Sequence, residues 1–192
     1  MIGGILLLGG DLPGIDEPDT TGGFGFDLRN VQAAPVSHTP PSELRDAARE
    51  AGTAIKETMD ELYFRAFVDP SSWGDYGAAF ELFDGRAAER AEADGEILTL
   101  GPTADDVFES LDRTRGTLAI SVLTDRRDVP VTAVAEVRFL ADARQTDGTS
   151  TQVVSIGSFF LREVDGEWRI FAYRVNREDV TTEAPSPTGS PS

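Results

Sequence analysis

Gly157-Ser158-Phe159-Phe160-Leu161-Arg162-Glu163-Val164-Asp165-Gly166-Glu167-Trp168-Arg169-Ile170-Phe171 is the stretch that decides the fold. Two runs rich in aromatic and β-branched residues flank Asp165-Gly166. That pair suits a type I′ turn, which needs positive φ at both central positions, so the stretch predicts a β-hairpin. Working outward, the period-two pattern extends the hairpin to strands over 152–164 and 167–175. Upstream, Leu118, Ile120 and Val122 alternate with Thr117, Ala119 and Ser121, and a strand starting at Pro130 alternates Val131, Ala133, Ala135, Val137 and Phe139 with Thr132, Val134, Glu136, Arg138 and Leu140. Four such segments joined by short turns predict an antiparallel meander.

Before the meander the period changes. Leu44, Ala48, Ala51, Ile55, Met59, Leu62 and Ala66 recur at steps of three or four, which predicts a helix of about 25 residues with one apolar stripe. Ser42 is its candidate N-cap; Gly52 weakens its middle, and Asp69-Pro70 ends it. Two shorter helices are expected over 73–83 and 86–93, and a further helical turn over 103–112, where Thr103 and Asp106 have capping-box spacing. The stripe of the long helix needs a sheet to lie on, so the expected class is α+β.

The 192 residues hold 34 acidic and 17 basic side chains, for a net charge of −17. Such a surface repels nucleic-acid phosphates and anionic lipid head groups, and it favours solubility. Arginine supplies all the basic residues except Lys56, a bias we ascribe to a GC-rich genome. The absence of cysteine excludes disulfides, thiolate chemistry and cysteine zinc sites. Eleven phenylalanines within 40% apolar content suffice for one core.

The organisation expected is one domain over 42–177 between two flanks. Residues 1–41 read as an apolar stub, Met1 to Gly10, followed by a Gly/Pro/Asp-rich linker containing Gly22-Gly23-Phe24-Gly25. The stub is half the length of a membrane span and lacks a basic start; it reads as the outer end of an anchor that begins upstream, the competing reading being an apolar tail with no role. Residues 178–192 read as a Pro/Ser/Thr tail. The Gly-rich piece lacks the Gly-Lys-Ser/Thr ending of a phosphate loop.

This order of a long helix, short helices and a curved meander ending in a hairpin with Trp168 after Asp165-Gly166 resembles the nuclear transport factor 2-like, or cystatin-like, superfamily over about residues 42–177. The resemblance implies a cone-like α+β fold, and that fold hosts enzymes, ligand binders and scaffolds. The stub, linker, domain and tail together look like its membrane-anchored extracytoplasmic members, such as mammalian-cell-entry-associated proteins or assembly proteins of conjugation and secretion machines. The corresponding expectation is a location at the extracytoplasmic face of the cell membrane, with the cytoplasm as the alternative.

No catalytic set is legible. His38, the sole histidine, lies between Ser37 and Thr39-Pro40 in the linker, which removes Ser-His-Asp triads and histidine metal clusters. Asp105-Asp106 and the Asp125/Asp128 pair lack the ligand spacing of a calcium loop, so no metal and no cofactor are expected. Enzymes of the superfamily work from the cone pocket, and this implies Glu136, Tyr63 and Tyr173 as polar groups, with Trp73 and Tyr76 beside them. Glu136 alternates with Ala135 and Val137 and shares a face with Arg138, and its simpler reading is a solvent-face residue near an opposite charge. On the sheet face away from the helix, Val154, Ile156, Phe160, Phe171, Tyr173 and Val175 share parity, so all but the pocket candidate Tyr173 become interface candidates for a protein partner or a homodimer. The function expected is a non-catalytic interaction or scaffold domain; the alternative is a small-molecule binder or a cone-pocket isomerase or cyclase.

Overall fold

The computed structural model describes residues 24–182. The chain is α+β, with one curved five-stranded sheet in the order β1-β2-β3-β4-β5: β1 Asp27–Pro35, β2 Phe108–Thr124, β3 Pro130–Gln145, β4 Ser150–Val164 and β5 Glu167–Thr182. The last four strands form the antiparallel meander, and β1 joins its edge parallel to β2. Between β1 and β2 run α1 (Arg45–Tyr63) and four short helices: α2 Gly77–Phe80, α3 Arg86–Ala93, α4 Gly95–Leu98 and α5 Ala104–Val107. The β4–β5 turn has Asp165 at φ 53° and Gly166 at φ 87°, as the hairpin pattern requires.

The long helix lies on the sheet. Ala48, Ala51, Ile55, Met59 and Leu62 of its stripe are buried against Leu118, Ile120, Val122, Val153, Phe159, Leu161 and Ile170. A single π-helical turn, Phe64–Val68, follows α1 and brings both Ala66 and Phe67 into the core. Gly52 has a packing reason: a Cβ there would sit 2.8 Å from Val31 Cγ1, so its absence lets the helix approach β1.

Several expectations need correction. Residues 27–35, read as linker, form β1, because Leu28 and, past an extra residue at Arg29, Val31 and Ala33 face the core and find β2 as partner. Ser42 does not cap α1: residues 41–44 form a turn in which Leu44 N–H donates to Pro41 O, and the helix starts at Arg45 without a side-chain cap. The expected 73–83 helix shrinks to α2, because Gly74 takes φ 83° and breaks it. The expected helical turn over 103–112 stops at Val107, Thr103 makes no capping bond, and β2 begins at Phe108. At the other end β5 continues through residues 178–182, where Ser150 pairs with Thr182.

No helix among the described residues is long and apolar enough to cross a membrane. The Met1–Gly10 stub and the tail beyond Thr182 lie outside the described residues.

Candidate functional site

The space between helix and sheet, where the fold would hold a pocket, is filled with aromatic rings. Tyr63 lies at its centre and is 1% exposed. Its ring centroid is 4.9 Å from Phe26, 5.3 Å from Phe67, 5.3 Å from Phe139 and 6.1 Å from Phe159. Phe24 closes the cluster edge-on against Phe26 at 4.9 Å and Phe139 at 5.3 Å. The segment carrying Phe24 and Phe26 is fixed to α1: Phe26 N–H donates to Asp60 Oδ1 at 2.8 Å, and Asp60 is ion-paired with Lys56, the sole lysine. Residues whose glycine-rich text suggested a linker thus supply two rings to the core.

The expected polar residues do not converge. Tyr63 Oη is hydrogen-bonded at 2.9 Å to Ser155 Oγ, also buried, and burial pushes the Tyr63 hydroxyl well above the usual tyrosine range. A neutral, mutually satisfied pair of this kind is a core feature, not a poised base. Tyr173 Oη donates to Asp94 Oδ2 at 2.8 Å, while Arg90 Nε donates to the same carboxylate oxygen at 3.1 Å and its guanidinium lies 4.8 Å over the Tyr173 ring. This clip ties the end of α3 to β5; burial first, then the Asp94 hydrogen bond and charge, raise the Tyr173 pKa. Trp73 Nε1 donates to Phe67 O at 2.9 Å, and Tyr76 Oη donates to Gly101 O at 3.1 Å, so both rings are anchored in the core with satisfied polar tips. Burial raises the Tyr76 pKa as well.

Glu136 stands on the opposite side of the sheet from Tyr63. It is exposed, between Ala119 on β2 and Ser158 on β4, on the face away from the aromatic core. His38 is exposed beside Ser37 and Thr39, whose hydroxyls donate to Asp128 at 2.6 and 2.8 Å and so fasten the segment after β1 to the β2–β3 turn. Asp125 in that turn accepts from the N–H groups of Val129 and Arg127, which hold its carboxyl below the usual range. These carboxylates are turn devices, and no cluster of metal-ligating side chains occurs among the described residues.

The interface candidates divide. Val154, Ile156 and Phe160 lie on the outer face, and so does Phe171, whose ring centroid is 6.4 Å from Phe160. Tyr173 and Val175 do not: a register shift between Phe160 and Leu161 leaves Phe171 as an extra residue in β5, which inverts the alternation beyond it and turns both into the core. Ile156 is 46% and Phe171 38% exposed, with Val134, Leu140 and Ala172 half-buried around them. What sequence reasoning missed is Arg177, which the inverted parity also aims inward. Its side chain is 10% exposed, donates to Glu96 O at 3.0 Å and to Thr99 O, and pairs with Asp179, pinning α4 to β5. The shifted register was the only signal for it, and alternation alone does not reveal that.

No family model matches the chain, and no curated protein matches it. Among solved structures it is similar to a hexachlorocyclohexane dehydrochlorinase (LinA) Type2, at 11% identity over 78% of this chain and 97% of that one, with a TM-score of 0.45. Residue roles do not transfer at that distance.

Proposed function

We propose that the protein is a non-catalytic interaction domain that pairs with a second copy of itself through the outer face of β3, β4 and β5. The observation that carries this reading is the pattern on that face. Along β4, Val154, Ile156 and Phe160 present an apolar row, and across it Glu136, Ser158 and Arg174 lie in one register row on β3, β4 and β5. A two-fold axis parallel to β4 stacks each β4 residue on its own copy. The same operation places Glu136 of one copy over Arg174 of the other, and Arg174 over Glu136, because β3 and β5 are each roughly 5 Å from the axis strand. The face is therefore complementary to itself in apolarity from Val154 to Phe160 and in charge along the Glu136–Arg174 row, while Arg162, which the axis also stacks on its own copy, is ion-paired with Asp84.

The cone-pocket alternative, an enzyme or binder using Glu136 with Tyr63 and Tyr173, is opposed by the filled interior and by the placement of these groups around three separate locations. Tethering at the extracytoplasmic face of a membrane belongs to the proposed reading and rests on the Met1–Gly10 run; protease treatment of intact source cells, followed by immunoblot for loss of the domain, tests it.

Sedimentation velocity of the full chain tests self-association. The expected result is a dimer that Ile156→Glu converts to monomer with an unchanged far-UV circular dichroism spectrum. Glu136→Arg and Arg174→Glu should each weaken the dimer, and the double variant should restore it. A wild-type chain that stays monomeric at every accessible concentration would overturn the pairing.

A further inference from the structure

The corner of the sheet where β1 begins carries a second feature, on the same side as the outer face but away from β4. β1 starts pairing only at Asp27↔Thr117, so β2 before Thr117 has no neighbour strand on that side. The resulting depression, about 470 Å³, is lined by Gly25, Asp27, Arg29, Arg115, Thr117, Arg138 and Leu140, with Gly116 at its floor. A volume of this size accommodates a small organic molecule.

Its charge runs against the rest of the chain. Acidic residues outnumber basic ones 34 to 17, yet this depression holds three arginines and one aspartate. Asp27 pairs with Arg29 at 3.1 Å. Among the described residues no hydrogen bond or ion pair engages the guanidinium of Arg115 or Arg138, and both are exposed. Arg115 is opposite Leu140 and Thr117 opposite Arg138, so the two arginines are diagonal neighbours across β2 and β3 with Cα atoms roughly 7–8 Å apart. Like charges at that spacing repel unless an anion lies between them. After Asp27 offsets Arg29, the depression keeps two positive charges, beside a threonine hydroxyl and one apolar wall.

We propose that this corner binds a phosphate monoester, with the dianionic phosphate held between the Arg115 and Arg138 guanidiniums, the Thr117 hydroxyl as a further donor, and the organic group against Leu140. Guanidinium forks match phosphate oxygens in pairs, and two of them balance its two negative charges. In the dimer proposed above, β1 and β2 overhang the edge of the partner's β5, which leaves the corner open; the site also exists in a monomer, so the two proposals fail separately. The long-range field of the chain opposes both anions, and it opposes an extended anionic membrane more than a small soluble ester.

The test is titration of the full chain with phenyl phosphate, read by calorimetry at low salt, alongside co-sedimentation with neutral vesicles and with vesicles containing phosphatidic acid. Saturable binding of phenyl phosphate is expected, and Arg115→Ala or Arg138→Ala should weaken it roughly tenfold or more, the loss of a charge-assisted hydrogen bond. Arg126→Ala, in the β2–β3 turn at the other end of the sheet, should leave it unchanged. Vesicle retention that requires phosphatidic acid and Arg138 would support the same site with a lipid head group as the source. Absence of binding to either probe, or binding that survives Arg115→Ala and Arg138→Ala, would overturn the proposal.

Discussion

The two faces of β3 carry alternate residues of one run and have opposite fates. Ala133, Ala135, Val137, Phe139, Ala141 and Ala143 point inward and are all buried, the small ones leaving room for the long side chains of α1 and the rings around Tyr63. Thr132, Val134, Glu136, Arg138 and Leu140 point outward and meet solvent to varying degrees. Close packing on one side makes that side intolerant of change, as filled interiors are. The other side meets solvent, so substitutions there are tolerated better and the proposed self-association uses that side.

The contrast can be broken from the inside with the largest effect. Phe139→Ala, which empties a ring position contacted by Phe24, Tyr63 and Phe67, should cost about 3–5 kcal/mol in urea unfolding. Phe160→Ala on the outer face, measured in the Ile156→Glu background so that association does not contribute, should cost about 1 kcal/mol or less. Equal losses at the two sites would erase the distinction between the faces.

Tyr63→Phe sharpens the comparison within the core. It leaves the Ser155 hydroxyl buried without its partner, a loss of about 1–2 kcal/mol at neutral pH. The alkaline limb should move the other way. The folded-state pKa of Tyr63 is raised above the ordinary value of about 10, so the folded chain keeps a proton that the unfolded chain releases, and stability falls as pH rises above that value. Tyr63→Phe should therefore show a shallower loss of stability above pH about 10 than the wild type.

The smallest effect concerns Thr124, buried at the end of β2 with Oγ1 lacking a partner among the described residues. Thr124→Val replaces that hydroxyl with a methyl of similar shape and should raise stability by up to about 1 kcal/mol. A loss of stability would mean that the hydroxyl has a partner in solution.

The meander, its hairpin and the stripe of α1 were legible in the sequence because each rests on local periodicity: alternation over 130–140, steps of three and four over 44–66, and Asp165-Gly166 between two β-rich runs. What was illegible depends on partners far along the chain. Leu28, Val31 and Ala33 are too few to outweigh the Gly, Pro and Asp around them, and only β2 makes them a strand. Phe24 and Phe26 look like ornaments of a glycine run until Tyr63 and Phe139 are beside them. One extra residue at Phe171 exchanged Tyr173, Val175 and Arg177 from the outer to the inner face, and nothing in the text of β5 marks that residue as the extra one. Glu136, by contrast, stands in water as its alternation with Ala135 and Val137 implies.

The parallel pairing of β1 also sets an order of events at the ribosome. β1 is synthesised before every other described element, yet Val31 pairs with Ile120, and α1 to α5 are made between them. At elongation rates of about 5–20 residues per second, the first strand and the apolar stripe of α1 wait on the order of ten seconds for the sheet that receives them. During that interval they are what a nascent-chain chaperone would encounter, and β1 joins the sheet only after β2 has been made.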